Sequence, residues 1–362
     1  MGSTSHGAGI AAVGFYLPRH VLAAEVGGDA AKAVEETSVA GFDEDPITMA
    51  VEAGERALTA IGTHAVDVLV FATSGTVGGG GLVAEALGLD PAHARDVLGS
   101  PDAGETALAG AIDVAAKEGT STLVIAADAP EGDPHGAAAV ALLATADGRV
   151  PWQRGTSPSL STIQRRIGDA GTATVLLSFL TGVEPSEVRG DIDIVRALNH
   201  RARITRAQSL ALRRHRTAPP GTEYSQGAYV SLATYRGEAK ARYRLVGERC
   251  AKCGRLHFPP REACLACGAQ SWEDEPLRRT GTVYAYTVIG KGAAPSEFLA
   301  QQEATGEYAT AVVELDDGPR VAAMLTDVEP ASVRIGMPVR MVFRRLYTQE
   351  GVTRYGFKFA PP

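Results

Sequence analysis

Two short runs, Cys250-Ala-Lys-Cys253-Gly254 and Cys264-Leu-Ala-Cys267-Gly268, hold every cysteine of this 362-residue chain. Within each run the cysteines bracket two residues and a glycine follows, the spacing of a tight turn that aims two thiolates at one ion. Two such turns, ten residues apart, complete a tetrahedron and leave no position open for water. The ion they require is a structural Zn2+, with Cys250, Cys253, Cys264 and Cys267 as ligands and His257 the other candidate nearby. A reducing compartment favours metal binding over disulfides for such a cluster. It also leaves no thiol elsewhere for chemistry.

Downstream of the ribbon, short apolar strands recur at Thr282 to Val288, Tyr308 to Leu315, Arg320 to Leu325, Val339 to Leu346 and Tyr355 to Phe359. Gly318, Gly336 and Gly351 separate them, and five strands at this spacing fit an OB-fold barrel. Upstream, strand-like runs at Gly9 to Tyr16, Val66 to Ala72, Thr122 to Ala127 and Gly136 to Ala144 alternate with helical patterns. The helices fall at Pro46 to Ile61, Gly81 to Leu87 and Ala103 to Ala116, with a further small-residue helix at Asp169 to Leu180. The expected fold class is an α/β domain, then a rubredoxin-like zinc ribbon and an all-β OB-fold barrel. The expected boundaries are 1–185 for the α/β domain, 186–235 for an arginine-rich connector, 236–280 for the ribbon and 281–362 for the barrel.

The connector is read from seven arginines with no acidic residue between Ile194 and Thr222, ended by Pro219, Pro220 and Gly221. Arg213, Arg214 and Arg216 are candidates for the phosphates of CoA, because a guanidinium fork matches phosphate oxygens. The plainer reading of the same run is a solvated helical face or a strip that docks on an acidic partner. Gly78 to Gly81 lacks the lysine and the spacing of a phosphate loop and reads as a turn.

A net charge of -7 argues against nucleic-acid binding. The barrel aromatics Tyr284, Tyr286, Tyr308 and Phe343 lie among Glu314, Asp316, Asp317 and Asp327, which repeats that argument locally. The N-terminus lacks the pattern of a signal peptide and no run reaches membrane-span length, so the expected location is the cytoplasm, with no membrane partner.

From Tyr243-Arg-Leu-Val-Gly-Glu-Arg-Cys250 through His257-Phe-Pro-Pro-Arg261, Gly281-Thr-Val-Tyr-Ala-Tyr-Thr287, Val313-Glu-Leu-Asp-Asp-Gly318 and Ile335-Gly-Met-Pro-Val339, the chain resembles a known family. These are the zinc-ribbon and OB-fold proteins that accompany thiolases and related acyl-CoA condensing enzymes. The N-terminal half resembles the first half of thiolase-fold enzymes, closest to microbial hydroxymethylglutaryl-CoA synthases. The residues that carry this are Gly14-Phe-Tyr-Leu-Pro-Arg19, Glu35 to Asp45 with Thr48-Met-Ala-Val-Glu-Ala53, Val83-Ala-Glu-Ala-Leu-Gly88 and Ala103-Gly-Glu-Thr-Ala-Leu108.

The resemblance implies a nucleophilic cysteine at the head of a buried helix and a general acid/base glutamate. In this chain Pro101 stands where the cysteine should be, and Thr73 falls near the place of the glutamate. Asp102 reads as a helix cap. The stretch from Ala144 to Tyr229 is too short for the second half-fold that would supply the histidine, so the α/β domain is expected to be a truncated thiolase-like one.

These replacements imply a pseudoenzyme: a zinc-containing accessory subunit of a hetero-oligomer. Its partner would be a catalytic thiolase-like or ketosynthase-like protein working on acyl-CoA or acyl carrier protein thioesters, and a CoA thioester is a candidate ligand. Two alternatives stand beside it. One is an enzyme in its own right, a cysteine-independent acyltransferase, aldolase or hydrolase; the other is a purely structural scaffold.

Overall fold

In a computed structural model, the residues described are 8–23, 34–62, 65–130, 135–155, 160–216, 237–349 and 352–362. The chain divides into two units, Met1–Arg216 and Thr217–Pro362. Among the described residues no helix is long and apolar enough to cross a membrane.

The first unit begins with β1 (Gly9–Tyr16), β2 (His20–Ala23), β3 (Glu36–Val39), α1 (Pro46–Ile61), β4 (Val68–Thr73) and α2 (Gly80–Leu87). It continues with β5 (Ala94–Leu98), α3 (Ala103–Glu118), β6 (Thr122–Asp128) and β7 (Ala138–Thr145). It ends with α4 (Leu160–Ile167), α5 (Thr172–Leu180), α6 (Ile194–Asn199), β8 (Ala202–Ile204) and α7 (Arg206–Arg216). The main sheet has the order β1-β7-β6-β4-β5. Strands β6, β4 and β5 run parallel, and β7 is antiparallel to both of its neighbours.

Strand β6 is buried along its whole length and β7 in all but its last residue. That is the pattern of a sheet covered on both faces, which explains their near-continuous apolar sequence. On one face Ile125 meets α1 at Gly54; on the other, Val124 and Ala126 share a core with Ala103, Ala107 and Leu108 of α3 and Leu176 of α5. Helix α1 starts where its sequence says it should. The Asp45 carboxylate accepts from the Thr48 N–H at 2.8 Å, the Thr48 hydroxyl oxygen accepts from the Asp45 N–H at 2.9 Å, and Pro46 occupies the first turn.

The two margins of this sheet differ. Outside β1, Ile10 bridges to Val150 and Ala12 to Arg189, so the chain covers that edge itself. Outside β5, no described strand follows.

A second, three-stranded sheet has the order β3-β2-β8, with β2 antiparallel to β3 and parallel to β8. Its third strand comes from the segment expected to be a connector. Up to Arg216 that segment carries α6, β8 and α7 within the first unit, because its arginines find acceptors there. Arg196 pairs with Asp191, and Arg201 with Glu36, 165 residues away. The Pro219-Pro220-Gly221 break and the rest of the expected connector to residue 235 lie outside the described residues.

The second unit opens with α8 (Ala239–Arg244) and a ribbon of three antiparallel strands, β9 (Val246–Cys250), β10 (Leu256–His257) and β11 (Trp272–Pro276), with β9 in the middle. The barrel is β12 (Thr280–Ile289), α9 (Leu299–Thr305), β13 (Tyr308–Leu315), β14 (Arg320–Met324), β15 (Pro338–Gln349) and β16 (Val352–Ala360). Its strand order is β14-β13-β12-β15-β16. A parallel bridge from Leu325 to Phe359 nearly closes it, around a core that includes Val283, Val313, Leu325, Met341 and Phe359. This is the OB-fold architecture read from the sequence.

Candidate functional site

The two cysteine turns fold back on each other at the tip of the ribbon. The Cys250 carbonyl accepts from the Gly254 N–H at 2.8 Å and the Cys264 carbonyl from the Gly268 N–H at 2.9 Å. Gly254 and Gly268 sit at φ +72° and +70°, the left-handed conformation in which a side chain is strained, and this is why each knuckle ends in glycine. The four Sγ atoms lie within 4.8 Å of one another, with Cys250 to Cys267 and Cys253 to Cys264 each at 3.6 Å. Metal–sulfur bonds of about 2.3 Å arranged tetrahedrally put neighbouring sulfurs roughly 3.8 Å apart, so the cluster fits zinc and holds no disulfide.

Around the cluster, His257 Nε2 stands 3.4 Å from Cys264 Sγ and its ring meets Trp272 edge to face at 5.2 Å. His257 is thus a support for a ligand rather than a ligand, the second layer that fixes a metal site's geometry. Burial opposes ionisation of the Cys264 thiol, but the N–H groups of Ala266 and Cys267 and the His257 ring outweigh it and bring the thiol down to about 5. At Cys253 the Arg255 N–H favours the thiolate, yet the sulfurs of Cys267 and Cys264 and burial prevail and push it up to about 12. Four sulfurs this close cannot all be anionic unless a cation sits among them.

At the head of α3, where the resemblance in sequence set a nucleophile, stand Pro101 and Asp102, both exposed. Asp102 occupies the cap position, but its side chain caps nothing; it pairs instead with Arg154 at 3.1 Å. The Gly155 N–H donates to Glu105 at 3.3 Å, so residues Arg154 and Gly155 lie over the first turn of the helix. Thr73 is buried and donates to Asp128 at 2.5 Å.

Asp128 is not legible in the sequence as a special residue, yet it is a buried carboxylate with several donors around it. Besides Thr73 it accepts from the Ser74 N–H and hydroxyl, both at 2.9 Å, and from the Thr172 N–H at 2.7 Å, at the start of α5. Its donors come from β4 and α5, far away in sequence, so no local pattern could announce it. Ser74 is the hydroxyl best placed to be activated here. That hydroxyl already donates to Asp128, which also holds the Thr73 hydroxyl and the Ser74 and Thr172 N–H groups. The arrangement ties two strands to a helix.

Of the arginines proposed for CoA, Arg213 is half-buried and its Nη2 donates to the His135 carbonyl at 3.3 Å. The side chains of Arg214 and Arg216 lie outside the described residues. The four glycines at the start of α2 serve a carboxylate of the chain itself. Asp96 accepts from the N–H groups of Gly79 and Gly80 at 3.2 and 2.9 Å, and a Cβ at Gly78 would stand 2.4 Å from Asp96 Oδ2. In the barrel, Tyr308 and Phe343 are buried, Tyr284 and Tyr286 are exposed, and Arg320 lies 3.4 Å over the Tyr284 ring.

Comparison with known proteins agrees with this division. Residues 238–273 match the family model of the ChsH2 rubredoxin-like zinc ribbon domain, and residues 274–344 that of the ChsH2 C-terminal OB-fold domain. A DUF35 domain-containing scaffold protein of Methanocaldococcus jannaschii is 40% identical over 125 residues, 34% of this chain and 84% of that protein. The benzoylsuccinyl-CoA thiolase subunit BbsA of Thauera aromatica is 28% identical over 116 residues, 32% of this chain and 74% of that one. Among solved structures, MvaS in complex with 3-hydroxy-3-methylglutaryl coenzyme A aligns with 61% of this chain and 95% of its own, at 15% identity and a TM-score of 0.47.

Proposed function

Because this chain belongs, through its C-terminal third, to the family of DUF35 domain-containing scaffold proteins, we propose that it is a non-catalytic accessory subunit. It would serve a thiolase-like or ketosynthase-like partner that acts on acyl-CoA or acyl carrier protein thioesters. The observation that carries this reading is the distribution of sulfur: all four thiols converge at the tip of the ribbon, and an exposed Pro101 precedes α3. Acyl transfer through a thioester needs a nucleophile and a base together. No thiol stands at the head of α3 to be that nucleophile.

Two further observations favour a partner. A relative of the C-terminal third is itself named as a thiolase subunit. The β5 margin of the main sheet is also bare among the described residues, and its charges do not guard it. Arg95 turns back onto the carbonyls of Ala92 and Ala94, and Asp96 onto the start of α2. Exposed Leu98 and Val77 add apolar surface nearby.

The test is to incubate the purified chain with acetyl-CoA and follow free CoA release and protein mass, alone and with a condensing enzyme encoded beside it. The expected result is no turnover and no adduct alone, and co-purification with the condensing enzyme. Turnover by the isolated chain would overturn the reading. Within it, CoA docking by Arg213, Arg214 and Arg216 is tested by changing all three to alanine; an unchanged acyl-CoA affinity would remove that element.

A further inference from the structure

The four sulfurs of the ribbon are not equally protected, and the accessory role makes no use of the difference. Cys250 and Cys264 are 1% and 3% exposed, Cys267 is half-buried and Cys253 is exposed. The residues around Cys253, from Ala251 to Arg255, are exposed as well. The first knuckle therefore turns one sulfur outward, while the second keeps Cys264 inside against His257 Nε2 at 3.4 Å.

The setting of Cys253 is cationic. Lys252 precedes it, the Arg255 N–H donates to its sulfur, and Arg249 Nη1 donates to the neighbouring Gly254 carbonyl at 3.0 Å. Accessible thiolates beside positive groups are the cysteines that oxidise, and a thiol that coordinates a metal is already a thiolate. Reversible oxidation also needs a second sulfur within reach to capture the first. Cys264 Sγ stands 3.6 Å from Cys253 Sγ, on the opposite knuckle, and the remaining pair, Cys250 and Cys267, is equally close.

We propose that Cys253 is a peroxide-reactive modification site and Cys264 its resolving thiol, so that oxidation ties the two knuckles together and discharges the zinc. The Cys253 thiolate attacks hydrogen peroxide, takes one oxygen as a sulfenic acid and releases hydroxide. The Cys264 thiolate then attacks the Cys253 sulfur, forms the disulfide and expels a second hydroxide. The two sulfurs lose two electrons and the peroxide gains them. Cys250 and Cys267 are then the only thiolates left for the ion, where a structural site takes four ligands. This switch rests on the ribbon alone and is independent of the accessory role.

The test treats the full zinc-loaded chain with hydrogen peroxide. A chromophoric chelator follows zinc release, a sulfenic-acid trap with peptide mass mapping finds the first sulfur oxidised, and non-reducing digests locate the disulfides. The expected result is loss of the bound zinc, trapping at Cys253 roughly tenfold over Cys250 and Cys264, and a Cys253–Cys264 bridge that dithiothreitol and added zinc reverse. Zinc retained under peroxide, first oxidation at another cysteine, or a bridge from Cys250 to Cys253 within one knuckle would each overturn the proposal.

Discussion

The ribbon tip and the head of α3 are the two places where the sequence raises reactive chemistry, and they are built on opposite principles. At the ribbon, four thiols converge on a small module whose strands are at most five residues long, with little apolar surface of its own to bury. At α3 no thiol is present and the helix is held by an apolar core: Ala103, Ala107 and Leu108 are buried against Ala126 and Leu176. The ribbon leans on its metal site for stability, and the α3 region on its apolar core.

The sharpest way to break this contrast is to remove a metal ligand. Cys264→Ala should abolish zinc binding, reduce metal content from one ion per chain to none, and unfold the ribbon, since structural zinc contributes on the order of 10 kcal/mol. The first unit should still melt cooperatively in urea. Loss of both transitions together would show that the two regions are not energetically separate.

Next in size, Asp128→Ala should destabilise the first unit by about 3 kcal/mol, because it leaves buried donors of Thr73, Ser74 and Thr172 without their acceptor. Zinc content should not change. Denaturant melts paired with metal analysis check both halves of that statement.

Acid should act on the ribbon alone at first. With Cys264 held down to about 5 and Cys253 pushed up to about 12, the metal-free ribbon at neutral pH is part thiol and part thiolate. Zinc must therefore expel the remaining protons, Cys253's above all, so affinity rises with pH and falls as acid returns them. A competition titration with a chromophoric chelator from pH 8 to roughly pH 5 should show zinc affinity dropping steadily.

The smallest expected effect tests the other side of the contrast. Asp102→Ala removes only the exposed pair with Arg154 and should shift stability by no more than about 0.5 kcal/mol. It should leave any activity of a partner complex untouched. A large loss of that activity would mean that the head of α3 still takes part in chemistry.

What the sequence discloses is what is local. Asp45, Pro46 and Thr48 announce α1 to the residue, and the cysteine spacing announces the ribbon. Strands β2, β3 and β8 escape notice because they are three or four residues long and mix charge with apolar side chains. The Arg201–Glu36 pair spans 165 residues, so the arginine-rich run reads as free charge until the fold brings its acceptor to it. Burial then pulls the Arg201 guanidinium down to about 10, with Arg166 adding to the effect and Glu36 opposing it. The glycine run after β4 reads as a turn in the sequence, and its hydrogen bonds become visible only with Asp96 in place.

The unequal margins of the main sheet set a limit on assembly. Among the described residues Val150 and Arg189 bridge to the β1 side while the β5 side is open, so a neighbouring molecule that extended the hydrogen-bonded layer would do so beyond β5. One open margin of this kind suits a paired complex better than an open-ended polymer through this sheet.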